Sequence, residues 1–177
     1  MLNKRNYAFN KQIKVGDGFI NGQRNCSVSG MRYGLFPMSY NGCGVIALYN
    51  LMYRKRRRAD PADIALEIYP YSAILFGLFG NKMLKIEKYL NDHELSHKTV
   101  RSESQLAEIF SDCDCFILGL WNDAKKPTKG KHFVFVRNIG GKARVYNCYS
   151  NKTSPTDFES VQSYLDGKRL TVAYCFQ

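Results

Sequence analysis

The sequence predicts an α+β fold, a helical N-terminal half packed on an antiparallel sheet. Three observations carry that expectation. Apolar residues between 42 and 110 recur at helical spacing behind recognisable caps. After Cys115 the apolar residues instead fall in short runs or alternate, and Gly140-Gly141 joins two such runs as a hairpin turn does. Helices followed by strands in one chain pack as segregated layers.

Residues 1–40 are expected to be irregular, because Gly16, Gly18, Gly22, Gly30 and Gly34 interrupt every candidate period before Pro37. The first clear helix runs from about Gly42 to Arg57, with Val45, Leu48 and Met52 on one side and Ile46, Tyr49 and Tyr53 beside them. Asp60-Pro61 reads as an N-cap followed by proline at the first helical position, where no N–H is needed, and opens a helix through Tyr69. Met83, Ile86, Tyr89 and Leu90 give a buried face to a helix from Lys82 to Asn91. Ser102, with Gln105 three residues on, forms a capping box for another that reaches Phe110. Strands are expected at Phe116 to Trp121, His132 to Ile139, Ala143 to Tyr149 and Leu170 to Phe176, with a short helix near Asp157 to Leu165. No repeat or linker divides the chain, so residues 1–177 are expected to form a single domain. A chain near 150 residues buries roughly 70% of its unfolded surface.

The run Ile74-Leu75-Phe76-Gly77-Leu78-Phe79-Gly80 admits two readings. It is ordinary core, or, because glycines interrupt it, one wall of an apolar substrate groove.

The formal net charge of +11, from 26 basic and 15 acidic residues, favours acidic partners without constraining the fold. Its densest cluster is Arg54, Lys55, Arg56, Arg57 and Arg58. That cluster reads as a solvated helix end, whose cations offset the negative pole, or as a surface for nucleic acid or another anionic partner. Nothing in the first residues has the apolar length of a signal peptide, so the six cysteines are expected to be reduced thiols in a cytoplasmic compartment. The most apolar run, Tyr69 to Gly80, is shorter than the roughly 20 residues a membrane helix needs, so no transmembrane segment is expected. Cys113-x-Cys115 lacks metal-site spacing, and His93 and His97 have no Glu or Cys at ligand spacing. No metal and no cofactor are therefore expected.

The chemistry concentrates in Asn41-Gly42-Cys43-Gly44-Val45. A thiol at the start of a helix meets free N–H groups and the positive pole, both of which favour a thiolate. The same N–H groups suit the oxyanion of a tetrahedral intermediate. Taken alone, Cys43 is equally a buried core cysteine. His132 at the mouth of a strand supplies an imidazole able to exchange a proton with it. Asn147, on the returning arm of the hairpin, is placed to orient that ring through its other nitrogen.

A cysteine at a helix start, an apolar strand, a loop, then His132-Phe133-Val134-Phe135-Val136 and a hairpin ending at Asn147 resembles the papain-like cysteine peptidases of the bacteriocin-processing, C39-like group. The resemblance covers about residues 36 to 150. It implies a papain-like fold and thiol-dependent hydrolysis of a peptide or related amide bond in a peptide or protein substrate. By position it makes Cys43 the nucleophile, His132 the general base and acid, and Asn147 the orienting residue. The family's oxyanion Gln, six residues before the cysteine, falls here on Pro37, leaving Asn41 or Gln23 to supply an amide. Its orienting Asp-Pro is Asn147-Cys148. These departures leave two competing readings: an acyl transferase on the same fold, and a non-enzymatic module binding nucleic acid through the basic surface.

Overall fold

The computed structural model describes residues 2–78, 80–149 and 152–177. Where an irregular start was expected, Leu2–Asn10 forms a helix, α1. It lacks an apolar stripe; its buried side chains are Asn6 and Asn10. Asn6 donates to the Gly34 carbonyl at 2.7 Å, and Asn10 exchanges two bonds with the Arg32 main chain at 2.9 and 2.7 Å. Asn3 adds a bond to the Leu66 carbonyl at 3.1 Å. Spaced three and four residues apart, these amides share one helical face.

Arg32–Tyr33 (β1) and Phe36–Pro37 (β2) form a small antiparallel ladder that leads into Met38–Asn41 (α2). After Gly42, Cys43–Arg54 forms α3, every residue of which is buried from Cys43 to Met52. Pro61–Ser72 is α4, and the Asp60 carboxylate caps it by accepting from the Ala62 N–H at 2.7 Å. That cap contributes about 1 kcal/mol. Ile86–Asp92 is α5, Lys98–Val100 is β3 and Glu103–Ile109 is α6, whose Ser102 hydroxyl accepts from the Gln105 N–H as the capping pattern predicts. The remaining elements are Cys115–Trp121 (β4), Lys131–Ile139 (β5), Lys142–Tyr146 (β6), Thr156–Phe158 (β7), Val161–Leu165 (α7) and Arg169–Phe176 (β8).

Six strands join in one antiparallel sheet in the order β3-β8-β4-β5-β6-β7. Side chains alternate between two apolar layers. Ile117, Phe135 and Tyr174 face the helices α3 and α4, while Leu118, Val134 and Ala173 face the layer that holds Leu106 of α6 and Tyr164 of α7. Because both faces are covered, the central strands read as continuous apolar runs. The α+β class expected from the sequence is the class found.

Several boundaries differ from expectation: α3 ends at Arg54 rather than Arg57, α4 continues to Ser72, and α5 begins only at Ile86. β6 stops at Tyr146, because Asn147 adopts a left-handed φ of 60° that ends the ladder. The segment expected to begin a helix near Asp157 pairs with β6 as β7, and α7 starts only at Val161. The run from Ile74 to Gly80 is not ordinary core: Leu75 and Phe76 are 63% and 66% exposed, on a turn closed by a bridge between Ala73 and Asn81. Phe79 lies outside the described residues. Among the described residues, no helix is long and apolar enough to cross a membrane.

Candidate active site

Cys43 is the first residue of α3, and glycines flank it for steric reasons. A Cβ on Gly42 would stand 2.8 Å from Met38 atoms, so only glycine lets α2 pass directly into α3. A Cβ on Gly44 would stand 2.6 Å from the Asn81 side-chain nitrogen. The close approach at Gly44 is thus made by the protein's own Asn81.

The main-chain N–H groups of Phe133, Gly44 and Cys43 itself lie beside the Cys43 sulfur, and each favours the thiolate. Burial opposes them and wins, because a charge in the interior loses its hydration. Cys43 is only 8% exposed, and its thiol is pushed above its ordinary value rather than below it, contrary to the effect of a helix N-terminus alone.

Phe133, whose N–H lies beside the sulfur, is on β5 one residue beyond His132. His132 is 7% exposed, and burial pushes its pKa below the usual imidazole value. Its Nε2 lies 2.6 Å from the main-chain oxygen of Asn147. A carbonyl can only accept, so Nε2 carries the proton and donates it, and in the neutral ring Nδ1 holds the free lone pair. The ring of Tyr149 stands edge-on to the imidazole at 5.9 Å. No hydrogen bond joins the sulfur to the His132 ring among the described residues; Phe133, next to His132 in the chain, is the β5 residue beside the sulfur.

Asn147 does meet His132, by a different atom from the one expected. The left-handed backbone turns its carbonyl toward the ring, a conformation asparagine tolerates better than most residues. Its side chain points the other way: Oδ1 accepts from the Gln23 N–H at 2.9 Å, and Nδ2 donates to Gln23 Oε1 at 3.2 Å. The Asn147 N–H is held by Asn21 Oδ1 at 3.0 Å. The Asn147 side chain thus fastens the 20–23 loop to the sheet while the main chain holds the imidazole.

The two amides considered for the oxyanion are placed differently. Gln23 is paired with Asn147. Asn41 is spent: both hydrogens of its amide are engaged, by the Tyr33 carbonyl at 2.9 Å and the Gly77 carbonyl at 2.7 Å. That pairing fixes the 74–80 turn beside the helix start, and Leu35 N–H adds a bond to the Phe76 carbonyl at 3.0 Å. Asn81, which had no place among the sequence candidates, also stands at the helix start, against Gly44. Its Oδ1 accepts from the hydroxyls of Tyr33 and Ser72, and its buried Nδ2, against Gly44, has no partner among the described residues. No motif surrounds Asn81, so the sequence carries no signal for it.

The remaining candidates are accounted for structurally. Cys113 and Cys115 face opposite layers of the sheet, Cys113 shares its layer with Cys175, and all three are free thiols. His93 pairs with Glu67 at 2.9 Å, and His97 bonds the Leu95 carbonyl at 2.7 Å. Among the described residues, no three His, Cys, Asp or Glu side chains gather as metal ligands.

No protein-family profile and no curated protein matches the chain in sequence. Among solved structures it is similar to the peptidase domain of Streptococcus ComA, a bi-functional ABC transporter involved in a quorum-sensing pathway. The TM-score is 0.56 at 14% identity, covering 82% of this chain and 100% of that one. The shared fold is the papain-like α+β arrangement that the sequence resemblance implied.

Proposed function

We propose that the protein is a thiol-dependent hydrolase that cleaves a peptide or related amide bond through an acyl-enzyme on Cys43. The observation that carries this reading is the His132 tautomer. With Nε2–H committed to the Asn147 carbonyl, Nδ1 is the nitrogen left to take a proton, on the residue next to Phe133, whose N–H lies beside the sulfur.

Burial disfavours both thiolate and imidazolium, so the resting pair is a neutral thiol and a neutral imidazole. Nucleophile and base in unliganded sites are commonly looser than hydrogen-bond reach and close on substrate. As the sulfur attacks the carbonyl carbon, Nδ1 takes the thiol proton. The oxyanion that forms is met by the Cys43 N–H, and Asn81 Nδ2, packed against Gly44 and without a partner among the described residues, offers a side-chain donor. Collapse expels the amine, which takes the proton back from His132, and leaves a thioester. Water then attacks, its proton passing to Nδ1; collapse releases the acid and restores the thiol. Asn147 is a positioning residue. Leu75 and Phe76, exposed on the turn that Asn41 fastens, form one wall of an apolar substrate groove.

An irreversible peptide epoxide tests the reading: intact-mass analysis is expected to find one adduct, on Cys43, absent in Cys43→Ala and strongly reduced in His132→Ala. Adducts spread over the other five cysteines, or none at all, would contradict it. Acyl transfer would use the same thioester, and adding an amine acceptor distinguishes the two by whether an amide or a free acid is released.

A further inference from the structure

The basic run at the other end of α3 gathers around a cavity of about 610 Å³ lined by Arg54, Arg56, Arg57, Arg58 and Arg137. The twelve-residue helix α3 puts this end roughly 16 Å along the axis from Cys43. Arg137 decides how the cluster is read. It comes from β5, not from the run, and converges on the same cavity. A helix C-terminus carries about half a negative charge. Five guanidiniums, with Asp17 the one carboxylate lining the cavity, exceed what that pole can offset.

Three of the cations are pre-positioned. Arg54 is held by Asp114 at 2.7 Å, Arg57 donates to the His93 carbonyl at 2.6 Å, and Arg137 lies over the Phe19 ring at 5.7 Å. Arg56 and Arg58 are exposed, and their side chains have no ion-pair partner among the described residues. The wall between the cations is aromatic: Phe19, Tyr49 and Tyr53, with Tyr53 exposed and edge-on to Phe19 at 4.9 Å.

We infer that this cavity binds a nucleoside phosphate, with the phosphates on Arg56, Arg57 and Arg58 and the base against Tyr53. Guanidiniums match phosphate oxygens in a two-bond fork. The volume lies within the roughly 300–1,000 Å³ of small-molecule sites, so a phosphate alone would leave the aromatic side unfilled. A nucleic-acid track would need positive charge continuing beyond the cavity, whereas the other basic residues are scattered along the chain. This inference is independent of the chemistry at Cys43.

Calorimetric titration of the full chain at low salt, with ATP, tripolyphosphate and adenosine, tests it. ATP is expected to bind, tripolyphosphate to bind more weakly, and adenosine not to bind measurably. The double variant Arg56→Gln/Arg58→Gln is expected to weaken ATP at least ~10-fold, and Tyr53→Leu to weaken ATP while leaving tripolyphosphate unchanged. Near-UV circular dichroism and the Cys43 adduct yield check that each variant is folded. The inference is overturned if ATP does not bind, or if the double variant binds it as the parent does. Tripolyphosphate binding as tightly as ATP would remove the base from the assignment. A single-stranded oligonucleotide that displaces ATP with affinity rising with its length would replace it with nucleic acid.

Discussion

The two ends of α3 present opposite problems in electrostatics, and β5 contributes to both. At the N-terminus, Cys43 sits among three N–H donors in the interior, and β5 supplies Phe133 and His132. At the C-terminus, Arg54 and its neighbours open toward solvent, and β5 supplies Arg137. The helix pole favours an anion at the first end and cations at the second, by a fraction of a kcal/mol to about 1 kcal/mol. Burial overrides that preference at Cys43, where it pushes the thiol above its ordinary value. At the arginine end, solvent screens each cation, and what matters is how many converge on one cavity. The pole of a helix is therefore a weak predictor of ionisation where the group is buried, and a partner from another element decides the chemistry.

The largest expected effect breaks the interior end outright. Cys43→Ala should abolish turnover of whatever peptide the parent cleaves, and His132→Ala should lower kcat by ~100-fold to 10,000-fold, the usual contribution of a general base. Either variant retaining parental kcat would remove the interior end's chemistry.

Asn147 gives the next effect. Because the main-chain carbonyl holds the ring, Asn147→Gly should keep kcat within about tenfold, while Asn147→Val, a β-branched residue at a φ of 60°, should lose far more. The reverse order would assign the orienting role to the side chain.

Stability offers a smaller effect. A Cβ on Gly34, at a φ of 68°, would lie 2.0 Å from the Phe76 carbonyl, so Gly34→Ala should cost about 1–3 kcal/mol in urea unfolding. Acidification should destabilise the fold as well. The folded His132 pKa lies below 6.5, so the unfolded chain binds the proton more readily, and stability falls as pH drops from 6.5 toward the folded value. His132→Gln should remove that part of the pH dependence in thermal melts.

The smallest effect belongs to the exposed end. Arg54 and Asp114 are each about a third exposed at their side chains, so Arg54→Ala should change stability by ~1 kcal/mol or less.

What the sequence made legible follows the same division between local and long-range causes. Caps at Asp60 and Ser102, and the apolar runs of β4, β5 and β8, announce themselves because the signal lies within a few residues. α1 stayed hidden because its buried face is asparagine, and its hydrogen bonds go to Gly34, Arg32 and Leu66, far along the chain. Cys43, His132 and Asn147 could be named as candidates by residue type and position. Which of their atoms meet could not, since the carbonyl that meets His132 and the N–H beside Cys43 belong to the backbone. The loss of Asn41 as an oxyanion donor depends on Gly77 and Tyr33 arriving beside it, which no local pattern records.

The pH dependence of Cys43 alkylation by iodoacetamide, measured in the parent and in His132→Ala, tests the pairing of sulfur and imidazole most directly. The parent rate should rise with an inflection below 6.5, as His132 becomes the neutral base, and His132→Ala should show only a single rise above 9.0, where an unaided buried thiol ionises. Identical curves, each with the single high-pH rise, would show that the two groups do not act together.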